Sequence, residues 1–178
     1  MFVLLGLIAI IHAEQSLSDP YVILEKHLGA VGGLEKLKEQ NTVYQEGTIT
    51  IEGAGLEGTF KQWSERPLRL RQDTDLKVYS EVSGDNGDFS WLVDANGKVL
   101  VQRDENTLKD REVRKLMSQY EHVDPESEYF EVTFEGSEKV NGKDCYIVKI
   151  ANTINEDIYL NYYDRSNYQM LKTIIIKP

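Results

Sequence analysis

Along residues 42–102 apolar and polar side chains change places at every second position. Ile49 and Ile51 alternate with Thr48 and Thr50, and Leu70 and Leu76 fall opposite Arg69, Arg71, Asp73 and Asp75. Leu76, Val78 and Val82 alternate with Lys77, Tyr79 and Glu81, and Phe89, Trp91 and Val93 keep the same period. Further on, Phe130, Val132 and Phe134 alternate with Glu131, Thr133 and Glu135. A period of two with one apolar face predicts antiparallel strands. Asn86-Gly87, Asn96-Gly97 and Asn141-Gly142 separate such runs. Asn-Gly between two such runs is the strongest short-range hairpin signal. The last four strands are expected near 129–139, 143–151, 156–164 and 168–177.

Two stretches change the period to that of a helix. In the first, Asp19 is a natural N-cap, Pro20 suits the first helical position, and Leu24, Leu28 and Val31 recur at helical spacing. Gly32-Gly33 should divide it, since two glycines cost about 2 kcal/mol relative to alanine in a helix. Leu34 and Leu37 then continue the stripe in a second piece. The other stretch begins at Asp104 or Asn106, with Val113, Leu116, Met117 and Tyr120 on one face. Asp124-Pro125 returns the chain to an extended course.

One motif points elsewhere. Gly53, Gly55 and Gly58 spell G-x-G-x-x-G, with acids at Asp73 and Asp75. A dinucleotide site needs a strand, this turn, and then a long helix whose first amides face the pyrophosphate. Here Thr59, Phe60 and Trp63 favour strand and Pro67 ends any helix early. The motif fails its own context test and reads as a hairpin loop.

Composition narrows the function. The chain has 178 residues, enough for one globular domain over 14–178, and a formal charge of -10 from 30 acids and 20 bases. That field repels nucleic acid. Residues 1–13 read as a secretory signal, apolar from Phe2 to Ile11 with a cleavage site after Ala13, although no Lys or Arg precedes the apolar run. Cys145 is the only cysteine and lies in an alternating run, so it reads as a small buried hydrophobe. His12, His27 and His122 have no metal-ligand spacing, and the "DNGD" and "DANG" fragments do not continue into a calcium loop. No Ser or Cys has a plausible His partner, so a non-enzymatic protein without cofactor or metal is expected.

The order of parts, together with "GTFKQWSERPLRLRQD" and "VSGDNGDFSWLVDANGKVLVQR", resembles the LolA-like lipoprotein-carrier family of bacterial periplasms. The matching positions are Gly58, Arg66-Pro67, Leu70, Trp91 and Asp94. The resemblance implies an α+β fold: a strongly curved antiparallel sheet, an incomplete half-barrel, with helices covering its concave apolar face. It implies a soluble, monomeric periplasmic carrier that holds acyl chains of lipids or lipoproteins between an inner-membrane donor and an outer-membrane acceptor. The cavity would be lined by Phe60, Trp63, Leu70, Phe89, Trp91, Val113, Leu116, Met117, Phe130, Val132 and Phe134, with Arg66 at its mouth. The same side chains also fit an ordinary packed core. The family has further strands where this chain stops in "LKTIIIKP". The alternative is an accessory module of an exported assembly, pairing with another chain through a sheet edge.

Overall fold

The computed structural model describes residues 18–178; the proposed signal segment, 1–13, lies outside them. The described chain runs α1 (Pro20–Ala30), α2 (Leu34–Glu39), β1 (Thr42–Ile51), β2 (Leu56–Glu65), β3 (Arg69–Asp75), β4 (Ser80–Asp85), β5 (Ser90–Val93) and β6 (Val99–Gln102). It continues through α3 (Glu105–Ser118), β7 (Phe130–Val140), β8 (Lys143–Asn152), β9 (Ile158–Asp164) and β10 (Met170–Ile176). The α+β class is as expected, and every strand pairing is antiparallel. The strands form two open sheets, β1-β2-β3-β4-β5-β6 and β10-β9-β8-β7, rather than one. Each sheet is a meander of hairpins, and the segment carrying α3 interrupts the run between them. The chain divides into two compact units, Lys38–Gln119 and the segment up to Leu37 with Tyr120–Pro178.

In the unit of Lys38–Gln119, all five connections between strands are short. Gly55 takes the left-handed conformation (φ 63°) and closes the β1–β2 hairpin after a single 3-10 turn, Glu52–Ala54. The turn is shorter than the glycine motif suggests, because Gly58 already lies in β2, opposite Ile49. Residues 76–79, expected as strand, form the β3–β4 turn instead. Asp75 Oδ1 accepts from the amide of Lys77 at 3.0 Å, and Lys77 adopts φ 66°. This local aspartate turn outweighs the alternation. Helix α3 starts where expected: Asp104 accepts hydrogen bonds from the Thr107 amide (3.0 Å) and hydroxyl (2.6 Å).

The other unit holds most of the buried apolar side chains. Helix α1 is capped by Asp19, which accepts from the Tyr21 amide at 2.9 Å, and packs on β7 and β8 through Ile23 and Leu24. The expected stripe is therefore displaced: Val31 is exposed, because the helix ends at Ala30 with the Gly33 amide donating back to the Leu28 carbonyl at 2.8 Å. The sheet buries Phe130, Val132, Cys145, Tyr146, Val148, Ile150, Tyr162 and Tyr163. Cys145 is the small buried hydrophobe the sequence suggests, and burial pushes its thiol pKa up. His27 fastens α1 to the β9–β10 turn, with Nδ1 2.9 Å from the Tyr168 carbonyl oxygen and its ring 4.8 Å from that of Tyr163.

His122 adds a pH dependence to this unit. Its ring lies 6.1 Å from both Tyr120 and Phe130, and among the described residues its buried Nδ1 has no hydrogen-bond partner. Burial, with a smaller contribution from His27, lowers its pKa from 6.5 to about 4. The unfolded chain takes up this proton near pH 6.5 and the folded chain only near pH 4. The stability carried by neutral His122 is thus complete above pH 6.5 and is lost as the pH falls toward 4, by up to about 3 kcal/mol. Urea titrations across this window should show the loss, and His122→Phe should flatten that part of the profile.

Candidate functional site

In an antiparallel sheet, residues directly opposite each other project from the same face. The register of the six-stranded sheet therefore defines rows that cross all its strands. One row reads Tyr44, Trp63, Arg71, Gly84, Trp91, Val101, one residue from each of β1 to β6. Trp63 and Tyr44 are 42% and 50% exposed, with ring centroids 5.3 Å apart. Trp91 lies over Gly84, where an added Cβ would stand 2.6 Å from the indole Cζ2. Glycine at 84 thus makes the space into which the indole folds down on the sheet.

At one end of this sheet lies an open groove of about 630 Å³, lined by Thr42, Val43, Tyr44, Trp63, Ser64, Glu65, Arg69, Leu70, Arg71, Asp85 and Asn86. Its charges are paired within the protein. Arg71 grips Asp73 with two bonds, Nε–Oδ1 2.8 Å and Nη2–Oδ2 3.2 Å, and Arg69 Nη1 lies 3.3 Å from Glu65 Oε2. The bond to Asp73 raises the pKa of the Arg71 guanidinium still further. The Tyr44 hydroxyl donates to Glu46 at 2.7 Å, and that bond raises its pKa.

Asp85 lines one end, projecting from the face of the sheet opposite its strand neighbour Gly84. Its side chain is fully buried and accepts from Ser90 Oγ (2.8 Å), Arg114 Nη2 (2.9 Å) and the Gly87 amide (2.8 Å), with Arg111 Nε at 3.2 Å. Arg111 also donates to the carbonyls of Asp88 and Gly87. The "DNGD" fragment is therefore the socket for two arginines of α3. In the next hairpin Asp94 accepts from the amides of Asn96 and Lys98, an ordinary turn.

The proposed cavity residues are dispersed. Trp63 and Leu70 line the groove. Phe60, three positions from Trp63 in the same strand, projects from the opposite face with Gly47 and Thr74. Trp91 belongs to the aromatic row, and Phe89 lies just before β5 with the Arg103 guanidinium 5.6 Å from its ring centre. Val113 and Leu116 are buried on α3 and Met117 is half-buried. Phe130, Val132 and Phe134 belong to β7 in the other unit, where Phe134 meets the Tyr146 ring edge-on. Arg66 is half-buried outside the groove lining; its Nη1 donates to the Lys38 carbonyl at 3.4 Å and its peptide bond to Pro67 is cis. Tyr44, Arg71, Gly84 and Asp85 were missed as site residues. An aromatic at 44 opposite one at 63 is the single sequence signal that could have found the first.

Fold and site together define an open antiparallel-sheet protein with an exposed aromatic groove. No protein-family model matches the chain, and no curated protein does. Among solved structures it is similar to a DUF1329 family protein from Desulfovibrio piger, with TM-score 0.42 and 15% identity over 90% of this chain and 75% of that one. It is also similar to MucB, with TM-score 0.38 and 13% identity over 89% of this chain and 53% of that one. For MucB in complex with MucA(peri) the TM-score is 0.33, at 15% identity over 86% and 49%. The chain thus spans about half the length of the MucB chains. Likeness at this level extends to neither ligand nor partner. No described helix is long and apolar enough to cross a membrane.

Proposed function

We propose that the chain is an exported, non-enzymatic binding module that takes an extended segment of a partner protein onto β1. The observation that carries this is the contrast between β1 and the other sheet edges. β1 is ten residues long, ends its sheet, and pairs with β2 in unbroken register. Its sequence, TVYQEGTITI, contains neither lysine nor proline. Edge strands are ordinarily blunted by lysine, proline, bulges or short length. β6 has four residues, β7 carries a register shift at Gly136, and β10 carries a shift and Lys172. β1 has none of these protections beyond the single charge of Glu46, and its residues are exposed or half-buried. An added strand would satisfy its free backbone groups, and the adjoining groove would take a side chain of the partner.

Peptides selected by display against the protein should bind through their backbones. Methylating the amide nitrogen of every second peptide residue should abolish binding, while methylating the intervening ones should leave it. Insensitivity to both patterns would overturn the proposal. The acyl-carrier reading requires instead that the sheets curve into a half-barrel with the helices over its concave face. The groove itself favours a polar occupant, because an acyl chain laid along Arg69, Arg71 and Glu65 would leave much of its surface in water. Native mass spectrometry of protein purified from its source tests the carrier directly, by the retention of fatty acyl species.

A further inference from the structure

The row across the six-stranded sheet lies at right angles to a peptide paired with β1 and meets that site only at the groove residues Tyr44, Trp63 and Arg71. Two features describe what would settle there. The first is the exposed ring pair of Trp63 and Tyr44, cross-strand neighbours 5.3 Å apart at the mouth of the groove. Exposed aromatic faces gain from covering by apolar C–H surface, while their polar edges need wet partners. The second is the paired state of the nearby charges. Arg71 is held in plane by its two hydrogen bonds to Asp73, and Arg69 is held by Glu65. Each pair is neutral in sum and still presents N–H donors and carboxylate acceptors, since a guanidinium has five donors and a carboxylate about four acceptor sites. A charged ligand would have to break these pairs, and the chain's charge of -10 further disfavours an anion. A hydrocarbon would leave the same donors and acceptors unmet.

We infer that this face binds a linear, uncharged oligosaccharide laid across the strands. Sugar rings carry both chemistries at once: C–H faces that stack on Trp63 and Tyr44, and rims of hydroxyls that both donate and accept at Arg71, Arg69 and Glu65. The geometry suits a chain rather than a single ring. Strands lie about 4.8 Å apart, close to the repeat of sugar rings along an extended glycan. The row continues from Trp63 past Arg71 to Trp91 over Gly84. An extended, equatorially linked chain can follow a row that crosses successive strands, and a helically coiled one cannot.

The test is titration of the full chain with cellohexaose and with chitohexaose, read by tryptophan fluorescence and calorimetry, with maltohexaose and polygalacturonate as contrasts. At least one ribbon-like neutral glycan should bind with a Kd below about 1 mM, and maltohexaose and polygalacturonate should bind at least about tenfold more weakly. Trp63→Ala should weaken binding at least about tenfold, and Trp63→Phe less, because a ring is retained. Trp63 is exposed, so both variants should keep the parent circular dichroism spectrum. The inference is overturned if neither ribbon-like glycan binds, if Trp63→Ala binds as the parent does, or if polygalacturonate binds best. Loss of display-peptide binding in Trp63→Ala without any glycan binding would assign the face to the peptide instead. Failure of the glycan arm leaves the pattern of peptide methylation, and so the β1 reading, intact.

Discussion

Asp85→Ala is expected to destabilise the protein by about 3 kcal/mol, because it leaves the nearly buried Arg111 without its counter-charge, while Arg114, 38% exposed, can turn to solvent. The carboxylate is fully buried and receives two guanidinium groups, the Ser90 hydroxyl and the Gly87 amide. Arg111 is itself only 12% exposed, so losing its partner cannot be repaired by turning to solvent. The arginines sit on α3 and the aspartate ends β4, so the change also loosens the helix from the β4–β5 hairpin, leaving the bonds of Arg111 to the Gly87 and Asp88 carbonyls. Asp85→Asn should cost less, since it keeps shape and some bonds. Asp88→Ala, directly after the Asn86-Gly87 turn and exposed, should stay within about 0.5 kcal/mol. Urea unfolding of the three variants checks the order; equal stability of Asp85→Ala and the parent would remove the socket from the account.

The second large effect is expected within the glycine motif. A Cβ at Gly58 would stand 1.9 Å from the Asp75 carbonyl oxygen and 2.8 Å from the Leu76 Cα. These are backbone atoms, which cannot swing aside as a side chain can. Gly58→Ala should therefore separate β2 from the end of β3 and cost about 3 kcal/mol. Gly53→Ala is the control, since nothing lies within 4 Å of its added Cβ; it should change stability by less than about 0.5 kcal/mol. The resemblance to a nucleotide-binding fingerprint then has a plain origin. Gly55 is there for its left-handed turn, and Gly58 for the close approach of a neighbouring strand.

Much of the fold was legible because it is written locally. The alternation, the Asn-Gly pairs and the caps at Asp19 and Asp104 each act over a few residues, and each leads to the observed element. The turn at 76–79 was obscured because alternation continues through it while Asp75 holds the backbone differently. Site residues were harder to read for a different reason. Whether Trp63 meets Tyr44 depends on strand register, and whether Asp85 meets Arg114 depends on a contact between residues far apart in the chain. The cavity list mixed Phe60 with Trp63, although an odd spacing in a strand sends them to opposite faces. Apolar character alone selected those residues, and apolar character does not say which face is covered.

The central claim is that β1 is a docking edge. Hydrogen exchange of its amides, measured with and without a display-selected peptide, tests this most directly. The account predicts slower exchange within residues 42–51 on peptide binding, with β4 to β6 unchanged. Unaltered exchange in 42–51 while the peptide is bound elsewhere would contradict it.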